Sequence, residues 1–267
     1  MINEEIRFFS RTEPGQEYKK DWSAAYNSAY PVTYRKELMD KCQIHCKDGI
    51  LKEIFDLEVY GRLIEQAARE KPLYCIDLLS SYGDSFFAAV HGMSPEEILE
   101  AWSSEEKSLK SLKSRRFSCK TLGVDLSGPA LDYGRRAGIF DETMELDINN
   151  PSASERQRLS DALGVADFVH LGAPGYINLE NFYFIIDAFA AGSGSGILIA
   201  AFNYVFMKHH KKFKQYIVNK LDFINCVGGM QRYLLPEERE HYNVSCAYST
   251  TWVMERKKSK DMRVMRW

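Results

Sequence analysis

Leu73-Tyr74-Cys75-Ile76-Asp77-Leu78-Leu79 is a short, unbroken apolar run that ends in a loop of small and polar residues, Ser80-Ser81-Tyr82-Gly83-Asp84. A run of this length without alternation fits a strand of a parallel sheet, buried on both faces. Three similar runs follow, each after a stretch of helical character: Thr121 to Asp125, Ala166 to Leu171 and Gly196 to Ala201. A weaker one, Thr143 to Asp147, falls between the first two of these. Strands alternating with helices predict a mostly parallel sheet with helices on both faces and right-handed crossovers. Phe223 to Val227 and Val244 to Val253 have no helix-length apolar pattern between them and predict a terminal antiparallel pair, which makes seven strands.

Upstream of the first strand the chain reads as helical. Tyr18, Trp22, Tyr26, Tyr30 and Tyr34 recur every four residues, on either side of Pro31, a spacing that places them on one helical face. That face either docks on the body of the protein or closes over a pocket. A second helical stretch is expected from about Arg35 to Arg69, interrupted near Lys47-Asp48-Gly49. The chain therefore divides into an N-terminal helical lid or cap over 1–70 and an α/β domain over 71–267. Between the first two strands, Ser94-Pro95-Glu96-Glu97 carries an N-cap, a proline at the first helical position and a capping-box glutamate, so it opens an additional helix. Ser103 to Arg116 reads as a solvated connection and Lys113-Ser114-Arg115-Arg116 as a solubilising cluster. Glu237 to Glu240 is expected to be an exposed polar helical segment.

Composition narrows the function. With 267 residues, 45% apolar and 13% aromatic, the chain can bury a large core. A formal charge of -2 argues against nucleic-acid binding through bulk charge. The six cysteines are scattered, several of them in strand-like runs, and reduced thiols are the expectation. The N-terminus has no secretory pattern and no apolar segment is long enough for a bilayer, so a cytoplasmic protein without a membrane partner is expected. Cys42, His45 and Cys46 lack a second ligand pair at useful spacing, and no metal is expected. Ala191 to Gly196 precedes a strand without a following Lys-Ser or Lys-Thr and is expected to be a turn.

In open α/β sheets, ligands bind beyond the carboxyl ends of the strands, where the strand order reverses. Those ends carry Asp77 with Ser80 to Gly83, then Asp125-Leu126-Ser127, then Asp147-Ile148-Asn149, then His170-Leu171-Gly172-Ala173 with Tyr176. Asp125 is the strongest single candidate, because the two oxygens of a carboxylate suit the vicinal diol of a ribose.

The order of an acid and a small-residue turn ending in Gly83, then Gly123-Val124-Asp125-Leu126-Ser127, a short helix over Ala130 to Gly138, and Asp147 resembles class I S-adenosylmethionine-dependent methyltransferases of Rossmann-like fold. The resemblance runs from about Leu73 to Ala201. It implies S-adenosylmethionine as cofactor, with the methionine part over Asp77, Ser80, Ser81, Tyr82 and Gly83 and the ribose on Asp125. Asp147 would lie near the adenine amino group, between Leu126 and Ile148 as apolar walls, and Gly172 and Ala173 would flank the methionine side. Tyr176 would position the acceptor or face the sulfonium, and His170 could serve as a base. Tyr18, Trp22, Tyr26 and Tyr30 would line the lid over a small-molecule acceptor of secondary metabolism.

One departure stands out. The family's alternating loop glycines fall here on Leu79, Ser81 and Gly83, so only the last is kept. The loop must then be shifted, or a Ser80 or Ser81 hydroxyl must replace a lost contact. The leading expectation is methyl transfer to a small molecule. The alternatives are cyclisation of the cofactor's aminocarboxypropyl arm with release of methylthioadenosine, as in azetidine-2-carboxylate synthases, and a non-catalytic ligand-binding member of the fold.

Overall fold

The computed structural model describes residues 23–67, 72–203 and 210–257. Its seven strands are β1 (Leu73–Leu78), β2 (Cys119–Asp125), β3 (Glu142–Glu145), β4 (Phe168–Leu171), β5 (Ile197–Asn203), β6 (Leu221–Tyr233) and β7 (Cys246–Arg256). They form one sheet in the order β3-β2-β1-β4-β5-β7-β6. The first five pair in parallel, whereas β7 is antiparallel to both β5 and β6. This is the Rossmann-like α/β class expected from the sequence. Strand order reverses between β1 and β4, which opens a crevice beyond their carboxyl ends.

The alternation of side chains along each strand sorts the core into two layers. Ile76, Leu78, Leu122, Val124 and Val169 face the helices Ala153–Val165, Leu179–Ala190 and His210–Lys220. Leu73, Cys75, Phe168, Ile199 and Val253 face the opposite layer, where Leu51, Ile54, Phe55, Val59 and Leu63 pack beside Phe86, Trp102 and Tyr133. The N-terminal helices over 46–67 thus share the core of the sheet domain. Among the described residues, no helix is long and apolar enough to cross a membrane.

Several local expectations are corrected. The four-residue aromatic spacing does not make one continuous helix: helical turns occupy Ser23–Tyr26 and Val32–Tyr34, with bends between them. Pro31 lacks the N–H that would continue the first turn. Tyr18 and Trp22 lie outside the described residues. The break expected near Lys47 falls instead at Gln43, whose φ is 52°, and Lys47-Asp48-Gly49 sits inside the helix Cys46–Ile54. Ser103 to Arg116 contains a helix, Glu105–Lys110, capped by Ser104. Arg115 pairs with Asp141 at 2.8 Å, and Arg116 pairs with Asp56 while lying over the Tyr60 ring, so these two cations are bound rather than merely solvated. A short helix, Pro236–Tyr242, joins β6 to β7. Its Glu238 is buried, because Arg232 donates to both of its oxygens at 2.8 and 2.7 Å.

Candidate active site

The loop after β1 takes a left-handed backbone at three alternating positions, only one of which is glycine. Leu79, Ser81 and Gly83 have φ of 58°, 50° and 84°, so all three alternating positions are left-handed although two carry a Cβ. A side chain in that region costs of order 1 kcal/mol per residue. The side-chain oxygens of Ser80 and Ser81 are buried and have no hydrogen-bond partner among the described residues.

Asp125 holds this loop in place. Its Oδ2 accepts from the Ser81 amide at 2.7 Å and its Oδ1 from the Ser127 amide at 2.9 Å. Burial raises its pKa, opposed by those backbone bonds. Two bonds fill about half of a carboxylate's acceptor sites. Leu126, next to it, is 65% exposed. Asp147 closes its own turn, accepting from the Asn149 amide and the Asn150 side chain, while Ile148 is buried beside it. Asp147 thus sits beyond β3, on the far side of β2 from the loop after β1.

At the crevice floor, Asp77 and His170 stand directly opposite each other in the β1–β4 register. His170 Nδ1 lies 2.8 Å from Asp77 Oδ1, and both residues are buried. Burial raises the Asp77 carboxyl, and the imidazole partly offsets this. Gly172 allows the close packing, since a Cβ there would lie 2.7 Å from His170 Cε1. The Asp77 Oδ2 has no partner among the described residues.

Two elements complete the walls. From the fourth loop, Tyr176 is 47% exposed, and its phenol is raised first by loss of water. The Tyr176 carbonyl accepts from the Asn149 side chain at 2.8 Å, and Asn149 Oδ1 accepts from the Asn178 amide, so one asparagine ties the third loop to the fourth. From the N-terminal segment, Tyr26 is raised by burial and by the neighbouring Tyr176, Asp84 and Asp125. Tyr30 turns to the rim, where Arg136 covers its ring and also donates to the Ala29 carbonyl. Tyr82 turns away from the crevice into a cluster with Tyr34, Trp102 and Tyr133. Its hydroxyl donates to the Ser28 carbonyl at 2.8 Å, with the Ala25 and Tyr26 carbonyls also in reach, and this fastens 25–28 over the strand ends.

Reading the sequence missed Lys47, Asp48, Asp84 and Asn149. Lys47 Nζ pairs with Asp84 Oδ2 at 2.8 Å, and the Tyr34 hydroxyl donates to that same oxygen at 3.2 Å. Burial pulls the Lys47 ammonium down, but Asp84 and Asp48 outweigh it and hold it above its ordinary value. The available signal was a Lys-Asp pair inside a helix whose other inward positions, Leu51 and Ile54, are apolar.

No protein-family model matches the chain, and no curated protein matches its sequence. Solved structures do resemble the fold. The magnesium protoporphyrin IX methyltransferase of Synechocystis with bound SAH is 12% identical; the match covers 88% of this chain and 97% of that one, with a TM-score of 0.48. A geranyl diphosphate methyltransferase in complex with GPP and sinefungin is 12% identical over 74% of this chain and 77% of its own, with a TM-score of 0.45. A TehB-like SAM-dependent methyltransferase of Corynebacterium glutamicum is 12% identical over 75% and 89%, with a TM-score of 0.42. All three of these neighbours are methyltransferases.

Proposed function

We propose that the crevice between the loops after β1 and β4 binds S-adenosylmethionine, and that the chain transfers its methyl group to a small-molecule acceptor. The observation that carries this reading is the left-handed backbone at Leu79, Ser81 and Gly83, together with the unpartnered hydroxyls of Ser80 and Ser81. Strain kept without glycine, beside buried polar atoms that lack partners, fits a loop shaped for a ligand. Asp125 would hold the ribose with its remaining acceptor sites, Leu126 and Ile148 would flank the base, and Ser80 and Ser81 would face the methionine portion. The bound cofactor supplies an electrophilic methyl group on a sulfonium. The chain supplies alignment, exclusion of water and aromatic faces: Tyr26 and Tyr176 flank the crevice mouth, and Asp77 orients His170 for a proton at the acceptor.

Isothermal titration with S-adenosylmethionine and S-adenosylhomocysteine tests the reading; binding of neither would end it. Asp125→Ala should weaken both by about 1–3 kcal/mol, through lost charge-assisted bonds. Incubation with S-adenosylmethionine alone separates the chemistries, since a transferase waits for an acceptor whereas cyclisation releases methylthioadenosine at once.

A further inference from the structure

Asn149 stands where two loops meet. Its Nδ2 donates to the Tyr176 carbonyl at 2.8 Å and its Oδ1 accepts from the Asn178 amide at 2.7 Å. Its own carbonyl accepts from the side chains of Asn181 and Asn178 at 2.9 and 3.3 Å. Asn178 in turn caps the helix Leu179–Ala190 by accepting from the Asn181 amide at 2.9 Å. A side-chain amide suits position 149, because one planar group has to donate on one side and accept on the other. Toward β3, the Asn149 amide donates to Asp147 Oδ1 at 3.0 Å, and Ile148 between them is buried. In the sheet β2 and β1 stand between β3 and β4, so strand pairing does not bring these loops together. They meet because the helices that begin there, Ala153–Val165 and Leu179–Ala190, lie on the same face of the sheet. Arg156 of the first reaches Asn181 Oδ1 of the second at 3.4 Å.

We infer that Asn149 is a positioning residue that links the nucleoside end of the crevice to the turn carrying Tyr176, so that filling the first orders the second. The inference rests on the proposed function and deepens it by naming how that site is regulated. In that reading the base lies beside Ile148 and Asp147. A base held there fixes the turn 147–150, and the Asn149 side chain is fixed with it. The bonds from Asn149 then hold 176–178 in one place, and the Tyr176 ring with them. A segment already ordered by one ligand costs less to order for the next, which gives favourable coupling without a change of shape. The acceptor is therefore received after the nucleoside of the cofactor is seated.

Amide hydrogen exchange read by mass spectrometry tests this with adenosine, which has a base and a ribose but no aminocarboxypropyl arm to touch the turn after β4. In wild type, saturating adenosine should slow exchange across 175–178 by about fivefold or more. Asn149→Asp keeps the size and the acceptor for Asn178 but sets an oxygen against the Tyr176 carbonyl, and Asn149→Ala removes both side-chain bonds. Each variant should bind adenosine within about threefold of wild type by calorimetry, yet slow exchange across 175–178 by less than about twofold. A role in folding alone would raise exchange equally with and without adenosine and leave the ratio as in wild type; that result overturns the inference. So does wild type that binds adenosine without slowing exchange there, or that binds S-adenosylhomocysteine but not adenosine. A folded variant that loses adenosine binding altogether overturns it too, by placing Asn149 in the ligand contact itself. If wild type binds neither compound, the proposed function falls and takes the link with it. If wild type binds both and the exchange ratio does not depend on Asn149, only the link falls.

Discussion

Single residues carry the most specific chemistry of this protein. At Ser81 a left-handed φ of 50°, a buried hydroxyl without a partner and an amide held by Asp125 meet in one position. Strain and ligand contact are separable there. Ser81→Gly removes the Cβ that makes the conformation costly, at the expense of greater freedom in the unfolded chain, and should raise Tm by roughly 1–3 °C. The same change deletes the hydroxyl, so affinity for S-adenosylhomocysteine should fall. A lower Tm in thermal denaturation would show that the conformation is not under strain.

At the scale of elements, β2 and the helix Gly128–Arg136 are held together by one ring. Phe140 fills the space left by two missing side chains, Gly123 on the strand and Gly134 on the helix, and a Cβ on Gly123 would lie 2.6 Å from its Cδ2. This close approach sets the height of the helix N-terminus, whose Ser127 cap accepts from the Ala130 amide, and with it the position of Asp125 and Leu126. Gly123→Ala should therefore destabilise the protein by about 1–3 kcal/mol through overpacking, measured by urea denaturation. Adding Phe140→Leu should return part of that loss, because the smaller side chain makes room. A double variant that is no more stable than Gly123→Ala would place the strain elsewhere.

For the whole molecule, the response to acid follows from a histidine outside the crevice. His91 is buried; its Nδ1 lies 2.6 Å from the Lys113 carbonyl, and its Nε2 has no partner among the described residues. Burial lowers its pKa to about 4, only partly opposed by the Lys113 carbonyl. Between the ordinary value of 6.5 and about 4, the unfolded chain binds a proton that the folded chain does not. Stability contributed by neutral His91 is thus complete above that window and is lost as pH falls through it, by roughly 2–4 kcal/mol in total. His91→Gln should flatten the slope of stability against pH across that range in chemical denaturation. An unchanged slope would assign the acid sensitivity to other groups. Arg256 works at the same scale, since its buried guanidinium donates to the carbonyls of Leu163, Phe189 and Ser193 and joins two helices to the turn before β5.

The sequence by itself determined the seven strands, their parallel and antiparallel character and the candidate loops, because apolar runs, caps and turn residues act locally and each strand end brings its own polar residues. It also placed Asp77, Asp125, His170 and Tyr176 at the ends of their strands, since those ends follow from the same runs. Only the tertiary structure decided that Leu79 and Ser81 hold a left-handed path without glycine, because packing across the loop overrides local preference. Only it turned Tyr82 away from the crevice and buried Asp48, on an upstream helix, and Asp77, on β1, each with a carboxyl oxygen that has no partner among the described residues. Burial and the loss of water that gives those carboxyl groups their character depend on contacts between distant segments, and no local pattern of residues encodes them.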